Sequence, residues 1–332
     1  MHLSENRSLV EARSALAKGE DQLSIRRAFD YLGSHPDDPT AARIAALGLS
    51  RLIYADAAES FYETARRRGH LSLDDQHSRA LGLTRANARE KAVAAYREIL
   101  EKSPDDPIAL QRLAAVEWTR GRYDEAIRAA EVLATTPTGK VQGEALLAEV
   151  NHDAGRRAAA IPHFRRVFEL DPDLSKLPNL RIVFWREYGE DLLREGESAE
   201  AVKVLTNGMR HDSSPELFDL LGQACLEEGD LEQTERWWRR SSETNPERVT
   251  PLVLLGRLKI QSKEFDEALR LLKHAYDLKP NLYEVLFPLG RVHRLLGHDQ
   301  EADRYFDQAA EAQRTRVPST STGMGAVATP SR

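Results

Sequence analysis

The chain has 332 residues, of which 41% are hydrophobic and 30% charged, and its formal net charge is −6. The acidic balance argues against nucleic-acid binding, which needs a basic face to neutralise phosphates, and the single cysteine, Cys225, excludes a disulfide framework. No apolar run is long enough to span a membrane and residues 1–7 lack the apolar stretch of a signal peptide, so we expect a cytoplasmic protein without membrane insertion.

Taken in chain order, the sequence repeats itself. A small residue recurs after 34 positions in six of eight steps, after 41 in one and after 33 in another. The residue four positions later is usually aromatic or bulky and apolar, and a proline closes most units. A period of this length is typical of a stack of identical supersecondary units. The small residues are Ser24, Ala58, Ala92, Ala126, Ala160, Ala201, Thr234, Ala268 and Ala302.

Each unit is predicted to contain two antiparallel helices. Small residues at helical spacing let the two backbones approach closely, and the large residue four positions on fills the adjoining gap. A glycine between the helices tolerates the left-handed conformation that ends a helix. The closing proline cannot continue the second helix. Six units carry the glycine: Gly19, Gly121, Gly155, Gly196, Gly229 and Gly297.

This pattern resembles the tetratricopeptide repeat family, whose motif runs from a large residue through Leu-Gly, an aromatic residue and Ala to Phe and Pro. One of the best units carries Phe218, Leu221-Gly222, Trp238 and Pro246. The resemblance covers residues 5–312 in about nine units. It implies an all-α, right-handed superhelical solenoid of antiparallel helix pairs, and it identifies no subfamily.

The 41-residue step between Ala160 and Ala201 departs from the period and suggests that the array is divided there. We expect five repeats over 5–172, an insertion over 173–180, four repeats over 181–312, and a disordered tail over 313–332 that is low in apolar residues. The insertion fits two interpretations: a surface loop tolerated between stacked units, or a seam at which two arms hinge near Pro178.

The sequence lacks the motifs of common catalytic sites, and we predict no enzyme, catalytic residue or cofactor. There is no G-x-S-x-G turn, and no phosphate-binding Gly-rich loop. No metal site is predicted either, because the histidines lack ligand spacing. His293 and His298, five residues apart, are expected on different helix faces, with Gly297 ending the helix between them. The best metal-ligand pair is His152-Asp153 near His163, and these are more simply surface side chains.

The resemblance implies that the first helix of each repeat lines a concave groove through its second, fifth, ninth and twelfth positions. At the end of the array these positions carry Arg257, Phe287, Arg291 and Arg294. A guanidinium cluster beside an aromatic ring suits an acidic or phosphorylated segment of an extended peptide. The alternative is a solvated arginine face that pairs with Glu284 and nearby acids.

A second candidate contact lies in the first half of the chain. Trp118 falls at the groove edge near Gln111, and exposed aromatic side chains often anchor interfaces. The alternative is a partly buried packing residue, because the equivalent positions in other repeats are apolar.

These observations favour a non-enzymatic scaffold or adaptor that holds an extended peptide or a partner helix in the groove. One alternative is a peptide-responsive regulator whose two arms change orientation when the ligand binds. An RNA-binding helical repeat is disfavoured, because no basic surface is evident. A separate interpretation is self-association through the terminal repeats, since the last repeat has no clear polar capping helix over apolar residues such as Phe306.

Overall fold

The computed structural model describes residues 2–69, 71–177 and 181–316. Within these ranges the chain forms eighteen α-helices and no β-strand. The helices are α1 (His2–Lys18), α2 (Asp21–Leu32), α3 (Pro39–Arg51), α4 (Ala55–Arg68), α5 (Leu73–Arg85), α6 (Arg89–Lys102), α7 (Pro107–Thr119), α8 (Tyr123–Thr135), α9 (Lys140–Asp153), α10 (Arg157–Leu170), α11 (Arg181–Arg194), α12 (Ser198–Gly208), α13 (Pro215–Glu227), α14 (Leu231–Thr244), α15 (Val249–Gln261), α16 (Phe265–Leu278), α17 (Tyr283–Leu295) and α18 (Asp299–Arg316).

The chain forms two compact units, Met1–Arg181 (unit 1) and Ile182–Arg332 (unit 2). Unit 1 contains α1 to α10, and unit 2 contains nearly all of α11 and then α12 to α18. In the described part of both units, short connections join the helices in pairs. Contacts also join first helices of consecutive pairs, as between α1 and α3 or α15 and α17. The predicted all-α repeat array is therefore confirmed.

Close helix approach explains the glycine of the Leu-Gly pair in the repeat. A Cβ atom on Gly222 of α13 would lie 2.3 Å from the Nε1 atom of Trp238 on α14. On Gly256 of α15 it would lie 2.6 Å from Cγ of Leu272 on α16. Trp238 and Leu272 are the residues four positions after the small residue of their repeats. They fill the gap that the glycines leave, as the pattern predicts.

The residue that ends the first helix of a repeat adopts a left-handed conformation in nine repeats. The six predicted glycines have φ between 71° and 80°. Three repeats use other residues at this position: Ile53 with φ 67°, Asn87 with φ 57° and Lys263 with φ 63°. Isoleucine is an unfavourable choice, because its branched Cβ crowds the backbone there.

Replacing Ile53 by glycine is expected to raise the free energy of unfolding by about 0.5–1 kcal/mol, because the strain is larger than the entropy cost of glycine. The Ile53 side chain is 53% exposed, so its removal loses little burial. Urea denaturation of wild type and Ile53→Gly measures the change. The matched control is Asn87→Gly, which should change stability by a few tenths of a kcal/mol, since asparagine tolerates this conformation. A less stable Ile53→Gly variant would contradict the prediction.

The C-terminal end of the array differs from the predicted boundary. Helix α18 continues to Arg316, so residues 313–316, assigned to the tail, are helical. The rest of the predicted tail, 317–332, lies outside the described residues. Phe306 is partly buried rather than left exposed, because its ring lies 5.6 Å from that of Phe287 and close to Gly290. Self-association through this end stays a prediction.

The two C-terminal histidines lie together, and their predicted placement on different faces is wrong. Their Nδ1 atoms are 3.3 Å apart. Gly297, with φ 78°, ends the first helix and turns the chain so that His298 lies back against His293. The His293 ring is 6% exposed and stacks on Tyr305 at a centroid distance of 5.3 Å. Helical spacing did not predict this contact because the helix ends between the two residues.

Acid should destabilise the protein partly through His293. Burial, followed by the nearby charges of Lys273 and His298, lowers the pKa of His293 below its usual value. Between that lowered pKa and about 6.5 the unfolded chain binds the proton more readily, so the free energy of unfolding falls as the pH falls. Denaturation from about pH 7.5 to about pH 5 should show a steeper loss in wild type than in His293→Phe. Parallel pH profiles would contradict this assignment.

Candidate functional site

A cavity of about 870 Å³, here called the unit 2 cavity, opens beside α15, the turn between α16 and α17, and the end of α18. Most of its wall comes from the side of α15 that carries the groove positions, and from the turn around Pro280. The wall residues are Glu247, Arg248, Val249, Thr250, Val253, Leu254, Arg257, Lys279, Asn281, Leu282, Tyr283, Glu284, Ala312 and Thr315.

Helix α15 presents Arg257 to the cavity. Leu252, Leu255 and Leu258 of this helix are buried in unit 2, which leaves Arg257 on the opposite, exposed side. Val253, one turn earlier on α15, is 5% exposed and forms part of the apolar wall. The helical period therefore places a cation directly beside an aliphatic surface.

Two cations of the cavity have no partner in the described part of the chain. The side chains of Arg257 and Lys279 are exposed and make no ion pair or hydrogen bond with a described residue. Arg257 comes from α15, whereas Lys279 follows the last residue of α16. A guanidinium and an ammonium without partners are available to an anionic group.

A third cation of the wall is already paired. The Arg248 guanidinium donates hydrogen bonds to Oδ2 of Asp219 at 2.8 and 3.0 Å and also contacts Glu216. Burial raises the pKa of Asp219 above its usual value, although the nearby Ser241 hydroxyl and the hydrogen bonds from Arg248 act in the opposite direction. Arg248 therefore links α13 to the start of α15.

The predicted arginine cluster is divided by the structure. Of its members, Arg257 lines the unit 2 cavity and Arg291 is exposed on α17 outside the wall. Arg294 pairs with Asp299 at 3.0 Å and contacts Asp303, as a solvated arginine face would. Phe287 is 40% exposed and stacks on the wall residue Tyr283 at 5.6 Å, so it borders the cavity without lining it.

The two predicted contact residues of unit 1 have different surroundings. The Nε1 atom of Trp118 donates a hydrogen bond to Oδ2 of Asp153 at 2.8 Å, and the ring is partly buried against the unit 1 core. Trp118 thus joins α7 to α9. Gln111, two turns earlier on α7, lines a separate cavity in unit 1.

Sequence reasoning missed Lys279, Asn281 and Tyr283. The repeat pattern directs attention to inward positions of first helices, whereas these residues lie at or next to the turn between two repeats. Pro280 marks that turn in the sequence. The proline therefore signals where the chain turns, but it does not show that the turn borders a cavity.

The described ranges contain no group of three or more His, Cys, Asp and Glu side chains that could hold a metal ion. Near the candidate pair His152-Asp153, His163 has its Nδ1 atom 2.8 Å from Oε2 of Glu144. Among the same residues, no helix is both long and apolar enough to cross a membrane.

Comparisons with known proteins agree with the helical-repeat architecture. A family model described as tetratricopeptide repeat matches residues 79–139. The solved C-terminal part of a TPR repeat-containing protein from Cytophaga hutchinsonii is 15% identical, with a TM-score of 0.54 over 72% of this chain and 93% of that one. This likeness shows the fold alone.

Two curated proteins match at low identity. Tetratricopeptide repeat protein 8 of Caenorhabditis elegans is 23% identical over 53% of this chain, and the Protein CTR9 homolog of Arabidopsis thaliana is 23% identical over 67%. The chain spans 34% of the length of the first and 24% of the second.

The helix pairs, their spacing and the matched segment define a helical-repeat protein. Residues 79–139 match the tetratricopeptide repeat model, and the chain has the helical-repeat fold of a solved protein with such repeats. Repeats of this family generally mediate protein–protein interaction and are typically non-enzymatic.

Proposed function

We propose that this protein is a non-enzymatic scaffold or adaptor that binds an acidic, extended segment of a protein partner in the unit 2 cavity. The observation that carries the proposal is the pair of unpartnered cations, Arg257 and Lys279, on a wall that also contains Val253, Leu282 and Tyr283.

The chemistry of the wall favours an anion with an apolar neighbour. A guanidinium binds a carboxylate or a phosphate through two parallel hydrogen bonds, and an ammonium adds a second charge. The aliphatic and aromatic residues of the wall take an adjacent apolar side chain. Because packing already fixes Val253 and the core of α15, most of the conformational entropy lost on binding is that of the ligand.

A peptide selection tests the proposal. Random peptides of about twelve residues, roughly 40 Å long when extended, are displayed on phage and selected on the immobilised full chain. We expect an enriched family that combines Asp or Glu with an apolar residue. The family should be absent when the Arg257→Glu/Lys279→Glu variant is the bait. An enriched set without acidic peptides, or an acidic family that binds both baits equally, would contradict the proposal.

A further inference from the structure

A second cavity lies in unit 1, and the insertion after α10 forms part of its wall. This unit 1 cavity has a volume of about 500 Å³ and is bordered by α7, the turn between α8 and α9, α9 itself, and Lys176-Leu177. Its size falls within the range of roughly 300–1,000 Å³ that is typical of ligand pockets.

Residues 173–177 of the insertion form a turn that hydrogen bonds to Asp171 hold in place. The Asp171 carboxylate accepts hydrogen bonds from the backbone N–H of Ser175 at 3.0 Å, its hydroxyl at 2.7 Å and the backbone N–H of Lys176 at 2.7 Å. Leu174 is fully buried and Leu177 is 7% exposed. The insertion thus holds Lys176 and Leu177 beside the cavity. Residues 178–180, including the predicted hinge at Pro178, lie outside the described residues.

Two glutamine side chains face this cavity without a hydrogen-bond partner. Gln111 of α7 is exposed and Gln142 of α9 is partly exposed, and neither amide bonds to a described residue. Each amide offers both donors and an acceptor. The peptide groups of an extended segment need the same two kinds of partner, one for N–H and one for C=O.

The rest of the wall is apolar or balanced in charge. Among its lining residues, Ile108 of α7 is 55% exposed, whereas Leu146 and Leu177 are buried. The charged wall residues are Lys176 and Glu149, which are opposite in sign. The wall of the unit 2 cavity differs, because it contains three cations, Arg248, Arg257 and Lys279, and two carboxylates, Glu247 and Glu284.

We propose that the unit 1 cavity is a second binding site, specific for a neutral, extended peptide segment with an aliphatic side chain. The aliphatic side chain contacts Ile108 and the buried leucines, while Gln111 and Gln142 bond to the segment's backbone. Lys176 and Leu177 of the insertion supply part of the wall. The protein then binds two segments of different chemistry, one on each unit.

The same displayed peptides test this site separately from the first. Selection on the wild-type full chain should also enrich a neutral, aliphatic family, which persists on the Arg257→Glu/Lys279→Glu bait. A synthetic peptide of this family should bind Gln111→Ala/Gln142→Ala at least fivefold more weakly than wild type, measured by fluorescence anisotropy. Its affinity should change little with added salt, unlike that of the acidic family.

The matched control is Gln261→Ala, an exposed glutamine at the end of α15 outside both cavities. A second variant, Ile108→Thr, tests the aliphatic contact, and circular dichroism checks the folding of all three. The proposal is overturned if no neutral family is enriched, or if its peptides bind Gln111→Ala/Gln142→Ala as tightly as wild type. Loss of the acidic family alone would overturn the function proposed for unit 2 and leave this site standing.

Discussion

Exchanging both Arg257 and Lys279 for glutamate is expected to weaken the binding of a selected acidic peptide by about a hundredfold or more. A hydrogen bond to a charged group contributes roughly 1.5–3 kcal/mol, and a hundredfold change in affinity corresponds to about 2.7 kcal/mol. The double variant loses two such contacts and adds two charges that repel the peptide, so the expected loss of binding free energy is at least as large as this. Because neither side chain pairs with a described residue, the exchange should leave the fold intact.

Fluorescence anisotropy with the labelled acidic peptide and the full chain measures this effect. The matched control is Arg270→Glu/Lys273→Glu, which makes the same change in net charge at exposed positions of α16 outside the cavity wall. Its affinity should fall only by a long-range, salt-screened amount. Equal losses in the two double variants would mean that net charge, and not the unit 2 cavity, governs binding.

Gly143→Ala is expected to lower the free energy of unfolding by about 2–3 kcal/mol. A Cβ atom at Gly143 of α9 would lie 2.4 Å from the backbone N and 2.6 Å from the Cα of Ala134 on α8. Backbone atoms cannot rotate away as a side chain can, so the two helices must separate. The better helix propensity of alanine, worth about 1 kcal/mol, offsets only part of this cost.

Urea denaturation followed by circular dichroism measures the loss. The control is Gly33→Ala, where the nearest atoms to an added Cβ are backbone oxygens 3.6 and 3.7 Å away and φ is −56°. That variant should be as stable as wild type or slightly more stable. A Gly143→Ala variant that keeps wild-type stability would show that α8 and α9 are less closely packed than described.

Much of the fold could be predicted because the regular spacing of the repeat marks the residues at which its two helices contact each other. Gly222 and Trp238 occupy motif positions, and the contact between their helices follows from helical periodicity. His293 and His298 show where this reasoning fails. Periodicity applies only within a helix, and Gly297 ends the helix between them.

The candidate site was predicted less completely. The repeat pattern placed Arg257 at a groove position of its helix, and this residue lines the cavity. Lys279 was missed because turn residues have no fixed phase relative to the helices, and Tyr283 was missed because it is the first residue of α17 and precedes the groove positions of that helix. Arg294 has the same inward phase as a binding residue, but its ion pairs with Asp299 and Asp303 depend on how the next helix folds back.

By itself, the sequence determined the helix pairs, their period and which residues pack between the two helices of a pair. Each of these depends on spacing along one or two helices. Only the tertiary structure decided which charged side chains remain unpartnered and where the turns and the insertion form cavity walls. Ion pairing and cavity shape depend on distances between residues that are far apart in the chain. A local pattern specifies which side chains can meet across a helix pair, and the packing of successive pairs specifies which of them do.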